Sequence, residues 1–397
     1  MRQISTIIEI GTGKVVSIIC EAGKYDETHI LGNATVNYSG LKNGKLVDRH
    51  SIGPAIKQAL NGAEKMAGKK ARNVHVGIPA DFLSVVCNKV ELEFKNPKTV
   101  TQEDINHLYQ KSKNALQITK DYMVIHRCPI VYMLDDARKT MEPQNKKAKK
   151  ISAVISYVLA EKGFCQGIKK LLYKYGYNAS TFIGASYAEA IKFIPEEKRD
   201  QGAVMIDIGK TSTTVMIARG DGLMFHKVLN FGGANITDDL VKVLNTKRKV
   251  ANELKKRAIY GLSLSEEDNY EVCDKDTYKF ERFSAIKVQA IIEARLKEMI
   301  DVIVDSLDKS GCRLPKYVPV FVTGGTALMR GLREFIQKET NHNTVIVSPQ
   351  STCFNQPAYS SALAVADFAL DAETDEQVGF FERYKQLFMD VILERRI

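Results

Sequence analysis

The sequence predicts an α/β protein of two lobes built by internal duplication, and three observations carry that prediction. The 397 residues, 44% hydrophobic and 26% charged, suffice for two or three domains with well-buried cores. Two similar segments lie about two hundred residues apart: Ile8-Glu9-Ile10-Gly11-Thr12-Gly13-Lys14-Val15-Val16 and Ile206-Asp207-Ile208-Gly209-Lys210-Thr211-Ser212-Thr213-Thr214-Val215. Each reads as an apolar strand, a carboxylate, a glycine turn and a second strand, and β-branched residues on both sides of such a turn signal a hairpin. The third observation is Val320 to Leu332, a buried strand, the double glycine Gly324-Gly325 with Thr326, and the opening of a helix. A related segment, Phe231-Gly232-Gly233-Ala234-Asn235-Ile236-Thr237, ends a strand and caps a helix expected to begin near Asp238.

Phosphate binding is the chemistry that suits these hairpins. Glycine lets backbone approach a ligand closely, consecutive amides in a turn point at anionic oxygens, and Thr12, Lys14, Lys210, Thr211, Ser212 and Thr213 add side-chain donors. Glu9 and Asp207, just before the two turns, are placed to hold a magnesium ion through water, because that ion prefers oxygen ligands and keeps much of its hydration shell. Taken singly, each segment is first of all a β-hairpin; their pairing is what points to a site.

Composition narrows the partners. A formal net charge of +10 favours anions: nucleic acid, phosphates or an anionic membrane surface. No helix-turn-helix, zinc or aromatic RNA-binding signature accompanies it, so nucleic acid is not expected as a partner. The seven cysteines, Cys20, Cys87, Cys128, Cys165, Cys273, Cys312 and Cys353, lie far apart without metal-ligand spacing, which reads as a reduced, intracellular chain. The first apolar stretch is broken by Glu9 and is too short for a signal peptide or a span of about 20 residues.

In their order these pieces resemble the superfamily of actin and heat-shock-chaperone ATPases, and within it the FtsA family of bacterial cell-division proteins. Further segments carry the likeness: Gly40-Leu41-Lys42-Asn43-Gly44-Lys45-Leu46-Val47-Asp48, Val100-Thr101-Gln102-Glu103-Asp104-Ile105, Ile291-Ile292-Glu293-Ala294-Arg295-Leu296-Lys297-Glu298 and Thr323-Gly324-Gly325. The resemblance runs from residue 4 to about 370. It implies a duplicated actin-like (ribonuclease H-like) two-lobed ATPase fold with an FtsA-type 1C subdomain. Residues 1–80 and 162–200 would form subdomain 1A, 81–161 subdomain 1C, 201–233 and 316–370 subdomain 2A, and 234–315 subdomain 2B, with 371–397 an acidic linker and C-terminal amphipathic helix. Subdomain 1C would include a helix over Thr101 to Asn114 and the basic run Lys146 to Lys150, whose simplest reading is a solvated loop tip.

The resemblance further implies ATP and magnesium between the lobes, with Gly11, Gly13, Gly209, Gly232, Gly233, Asn252, Lys255, Gly324, Gly325 and Thr326 joining the hairpin side chains around the nucleotide. Magnesium would be held through the phosphates, without direct protein ligands. Arg295 resembles an arginine that contacts the acidic C-terminal tail of the tubulin-like protein FtsZ; equally, it is a surface residue that can pair with Glu298 on the same helix face.

Departures from the family pattern weaken the chemistry. Glu9 stands for an Asp, Lys210 and Thr211 for two glycines of the second turn, Asn252 for a nucleotide-contacting Glu, and Thr326 for a third glycine. Lys210 and Thr211 each add a Cβ where the backbone approaches phosphate and where φ > 0 is a possible requirement, while Lys210 also brings a positive charge. Glu253 can replace the missing Glu only if its helix shifts register. Hydrolysis needs a positioned, polarised water, so these changes are expected to reduce turnover before binding: at most a weak ATPase, and primarily an adaptor.

The chain end argues separately. Behind the acidic Asp371 to Glu376 stretch, Phe380, Phe381, Tyr384, Leu387, Phe388, Val391 and Ile392 recur at helical spacing as one apolar face. Such a helix lies in a membrane interface or packs in a protein groove. In the resembled family the terminal helix is the membrane anchor. The implied function is an ATP-binding adaptor at the cytoplasmic face of the cell membrane, at the division site. It would polymerise head to tail, bind the FtsZ tail and meet other division proteins. The alternatives are an actin-like platform for another assembly such as pilus biogenesis, and a small-molecule kinase of the same superfamily. The net charge divides unevenly: residues 138–150 and 245–257 each carry +5, and 263–276 carry −5.

Overall fold

The computed structural model describes residues 4–374 apart from 24–27, 43–44, 47–48, 136–137, 260, 275–276, 313–314 and 316. Two five-stranded sheets repeat one topology. The first runs Thr28–Asn37, Lys14–Ala22, Ile4–Ile10, Asn73–Ile78, Asn178–Gly184; the second runs Gly222–Leu229, Thr213–Arg219, Ala203–Ile208, Val320–Thr323, Thr344–Ile346. In each, three antiparallel strands are followed by two parallel ones, as two copies of a single unit require. The register makes the first carboxylates equivalent. Glu9 sits opposite Val16 and beside Gly77, while Asp207 sits opposite Thr214 and beside Thr323.

The period-2 alternation of strands explains the layers. Along Ala203–Ile208, Ala203 and Met205 join the core that fills the first lobe, whereas Val204, Ile206 and Ile208 join a second core under the helices Gly233–Leu244, Ala285–Asp308 and Leu332–Thr340. One sheet therefore serves both lobes, and each fully buried aliphatic side chain contributes about 1.5–3 kcal/mol.

Between these lobes in sequence, a four-stranded sheet in the order Leu83–Thr99, Lys147–Glu161, Tyr122–Leu134, Arg138–Thr140 carries the helix Gln102–Asn114 and a third core. The Thr101 hydroxyl accepts from the Asp104 amide at 3.3 Å and the Asp104 carboxylate accepts from the Thr101 amide at 2.9 Å, a reciprocal cap that starts this helix where the sequence places it.

Several local expectations change. The basic run is not a loop tip: the strand begins at Lys147, Ala148 is buried, and Lys150 pairs with Glu91 at 2.9 Å. The helix after the Phe231 segment starts at Gly233, five residues before Asp238. Gly325–Leu328 is a single 3-10 turn, and the following helix opens only at Leu332, after Gly331 at φ 82°. Residues 360–370, assigned to the second lobe, belong to a helix, Ser360–Thr374, that packs on the first lobe: the Ser5 hydroxyl donates to the Ala369 carbonyl at 3.4 Å, and Lys192 pairs with Asp367. That helix continues through Asp371 to Thr374, so these residues are not linker. The amphipathic stretch from Phe380 to Ile392 lies outside the described residues, as do Asn43, Gly44, Val47 and Asp48. Among the described residues no helix is long and apolar enough to cross a membrane.

Candidate functional site

The two carboxylate hairpins meet face to face. Each closes its turn in the same way, with the Gly11 amide donating to the Lys14 carbonyl and the Gly209 amide to the Ser212 carbonyl, both at 2.9 Å. The Thr211 amide donates to the Thr12 hydroxyl at 3.4 Å, linking the turns across the lobes. Neither Lys210 nor Thr211 has a positive φ, so the second turn closes without the glycines that the family pattern carries there. Instead the Lys210 stem lies over the first turn: a Cβ on Gly13 would sit 2.6 Å from Lys210 Cδ, so only glycine fits beneath it.

The double glycine locks against the second hairpin. Gly324, at φ 88°, approaches so closely that a Cβ would fall 2.1 Å from Asp207 Oδ1. The Thr326 hydroxyl donates to the Gly209 carbonyl at 3.1 Å, and the amides of Gly233 and Ala234 donate to the Gly209 and Lys210 carbonyls at 3.0 and 2.8 Å. Thr326 therefore ties its turn to the hairpin rather than opening space beside a ligand.

Two adjoining compartments result, sharing Gly209, Lys210, Lys256 and Gly325. The first, of about 440 Å³, is lined by Glu9, Asp207, the Gly11 to Lys14 turn and Ser212. Asp81, Glu189 and Ser361 line it too, three residues that sequence reasoning missed. Each of the two acidic ones left a signal. Asp81 follows Pro79 at the carboxyl end of a parallel strand, where open sheets place ligands, and Glu189 is the one acid within the otherwise apolar Ala185–Ile191 stretch.

Four carboxylates, with Lys14 the most buried of the three lysines beside them, set the electrostatics. Burial, with Asp207 adding to it, pushes the Glu9 carboxyl up to about 7 against the opposing pull of a Ser361 hydrogen bond and Lys14. Burial pushes Asp207 up to about 6, with Lys14 opposing and Asp81 reinforcing. Burial, with Asp207 and Glu9 adding to it, also pushes Glu189 well above the ordinary carboxylate range; the side chain is 1% exposed and its Oε2 has no hydrogen-bond partner. Lys14, its ammonium 3.5 Å from the centre of the Tyr359 ring, is lowered by burial and held up by Glu9 and Asp207.

The second compartment, of about 690 Å³, contains Gly233, Asn252, Lys255 and Thr326 in its wall, with Lys210, Arg248, Lys249 and Lys256 also facing it. Lys255 Nζ donates to the Gly233 carbonyl at 2.7 Å and to the Thr237 hydroxyl at 3.0 Å, and burial with its cationic neighbours lowers it to about 8. Glu253 turns away from this wall to pair with Lys256 at 2.9 Å, so the helix Arg248–Arg257 has not shifted register to replace Asn252.

Not every candidate reaches the cleft. Thr211, Thr213 and Gly232 do not line it, and the Thr213 hydroxyl donates to the Phe231 carbonyl at 2.8 Å. Arg295 lies apart, on the helix Ala285–Asp308, clamped by both Asp239 oxygens at 2.5 and 2.9 Å and by Glu298 at 2.6 Å. The Glu298 pair expected from spacing is present; the Asp239 fork, from a distant helix, is the larger part of its environment.

Comparison with known proteins accounts for this arrangement. The family model of cell division protein FtsA matches residues 204–364, and that of the SHS2 domain inserted in FtsA matches residues 83–159. Cell division protein FtsA of Neisseria meningitidis serogroup B is 27% identical over 384 residues, covering 94% of this chain and 91% of that protein. The Streptococcus pneumoniae serotype 2 protein of the same name is 25% identical over 374 residues, covering 92% and 79%. Among solved structures, the PilM-PilN type IV pilus biogenesis complex superposes with a TM-score of 0.63 at 16% identity (93% of this chain, 99% of that one). MreB5 of Spiroplasma citri bound to ADP gives 0.54 at 12% (94% and 99%), and the MamK double helical filament 0.53 at 11% (94% and 100%). These structures share the actin-like fold, and the two FtsA models fall in turn on the inserted sheet and on the second lobe: the chain belongs to the FtsA family of actin-like cell division proteins.

Proposed function

We propose that this chain is a nucleotide-binding adaptor of the bacterial division machinery, holding ATP with magnesium between its lobes and turning it over weakly at most. The observation that carries the reading is the facing pair of hairpins clamped by Gly324 and Thr326, which makes one continuous cleft from two equivalent carboxylate turns. The donor set fits the ligand: glycine turns, the hydroxyls of Thr12 and Ser212, and Lys14 and Lys210 face the first compartment, and the buried Oε2 of Glu189, without a hydrogen-bond partner, is an acceptor for a water of a hydrated cation. MreB5 of Spiroplasma citri, a protein of the same fold, is bound to ADP in its crystal structure.

Within this reading Thr12 to Lys14, Lys210 and Ser212 hold the phosphates, and Glu9 and Asp207 orient water around the ion. Magnesium, when bound, screens the phosphate charge and polarises the transferred group. Lys255 and Asn252 receive the nucleoside. Glu9 is one methylene longer than the family's Asp, and the second turn carries Lys210 and Thr211 in place of glycines, so an attacking water is positioned less well and turnover is slow.

The adaptor role follows from the family. Copies assemble head to tail; residues 234–315, with Arg295, receive the acidic FtsZ tail; and the stretch from Phe380 to Ile392 lays its apolar face on the cytoplasmic surface of an anionic membrane. One such helix binds weakly and a polymer of them firmly. Cosedimentation of the full chain with anionic vesicles and FtsZ, with and without ATP, tests the whole: ATP-promoted pelleting of FtsZ is expected. Unchanged pelleting after removal of residues 379–397 sinks the membrane reading, and failure to bind FtsZ tail peptide sinks the division role.

A further inference from the structure

The second compartment carries an excess of positive charge that a plain adenosine does not use. Lys210, Arg248, Lys249, Lys255 and Lys256 face it, and no Asp or Glu among the described residues does. The carboxylates nearest in sequence sit outside: Asp238 pairs with Arg248 and Glu253 with Lys256, and in both pairs each side chain is more than a third exposed. Such solvated pairs exchange readily for a better anion. Asn252, polar but uncharged, offers no carboxylate to the ribose hydroxyls.

Ribose-binding sites divide along this line: a carboxylate accepts hydrogen bonds from free hydroxyls, whereas cations without a carboxylate accommodate a phosphate on the sugar. We propose that the second compartment is a phosphate site, and that the cleft prefers a nucleotide phosphorylated on its 2′ or 3′ hydroxyl as well as at its 5′ end over a plain nucleoside diphosphate or triphosphate. This preference rests on the nucleotide reading of the cleft.

Geometry supports it beyond the charge count. Lys255 spends two of its three N–H groups on the Gly233 carbonyl and the Thr237 hydroxyl, which fixes the ammonium in the wall. Arg248, Lys249, Lys255 and Lys256 come from successive turns of one helix, Arg248–Arg257, whose backbone places these four cations along the same wall. Lys210 reaches the same space from the opposite hairpin and faces both compartments, as a bridge between a 5′ and a ribose phosphate requires. Burial first, and then Arg248, Lys256 and Lys210, lower Lys255, with Asp238 opposing.

Equilibrium titration of the full chain with ADP, 2′-phospho-ADP and 3′-phospho-ADP, each with magnesium, tests this. At least one ribose-phosphorylated form is expected to bind about tenfold or more tightly than ADP, and comparing the two forms identifies the hydroxyl. The advantage should shrink as salt rises and fall in Lys249→Gln and Arg248→Gln, both exposed positions whose change does not threaten the fold. Asn252→Glu should reverse the preference. Equal or tighter binding of ADP in the wild-type chain overturns the inference and leaves the nucleotide reading intact. Binding of none of the three overturns both.

Discussion

The two compartments of one cleft are electrostatic opposites. The first gathers Glu9, Asp81, Glu189 and Asp207 against Lys14, with Lys210 and Lys256 at its edge; the second gathers five cations and no acid among the described residues. The first is unfavourable alone because buried like charges lose hydration and repel, whereas in the second Lys210, Arg248, Lys249 and Lys256 keep their water and only Lys255 is largely covered. The difference shows what each lacks: the first is completed by a cation, the second by an anion. A ligand that binds the folded state and meets these charges stabilises it.

Breaking the joint between them should have the largest effect. Gly324→Ala places a Cβ on Asp207 and forces a left-handed φ on alanine, so a loss of about 2–4 kcal/mol is expected in urea unfolding. A loss below about 1 kcal/mol would mean the two walls move apart easily.

Next comes the carboxylate side. Glu9 has a folded pKa near 7 against an ordinary value of 4.5, so the folded state holds its proton longer than the unfolded state does. Its contribution is fully favourable below about 4.5 and is lost as pH rises through about 7. Glu9→Gln should therefore stabilise the ligand-free protein at pH 8 by on the order of 1–3 kcal/mol, with no gain at pH 4.5, while weakening magnesium-dependent nucleotide binding. An equal gain at both pH values would show that packing rather than charge is responsible.

On the cationic side the sign inverts. Lys255 titrates near 8 when folded against 10.5, so the unfolded state holds the proton longer and stability rises as pH climbs from about 8 towards 10.5. Lys255→Met should abolish that rise; loss of its bonds to Gly233 and Thr237 offsets part of the gain, leaving about 1 kcal/mol or less at pH 7. Thermal melts across pH 7–10 read it directly.

The smallest effect is expected from Glu189→Gln. Burial and the neighbouring Asp207 and Glu9 favour the protonated form of Glu189, which the amide mimics, so stability should move by less than about 0.5 kcal/mol between pH 6 and 8. A large gain at pH 8 would mean that Glu189 is ionised and that the first compartment holds more charge than proposed.

How much of this was legible depends on sequence distance. The hairpins were readable because a turn and its strands are local: Gly11 to Lys14 and Gly209 to Ser212 close within four residues. The capped helix Gln102–Asn114 was readable from Thr101 and Asp104 for the same reason. Asp81 and Glu189 were missed because their local signals, a strand end and an acid in a largely apolar stretch, gain meaning only once parallel pairing of Ile4–Ile10 with Asn73–Ile78, and of that strand with Asn178–Gly184, brings their elements to the Glu9 end of the sheet. Arg295 shows the limit from the other side, since its partner Glu298 lies on its own helix whereas Asp239 arrives from 56 residues away.

By itself the sequence determined the α/β duplication, the two carboxylate turns and the double glycine, because hydrophobic period and turn chemistry are local properties. Tertiary structure alone decided that Lys210 covers Gly13, that Ser360–Thr374 returns to the first lobe, and that acids and bases sort into separate compartments. The physical reason is that a pKa, a clash or a field depends on which groups are close in space, and folding brings together residues that the chain keeps hundreds of positions apart.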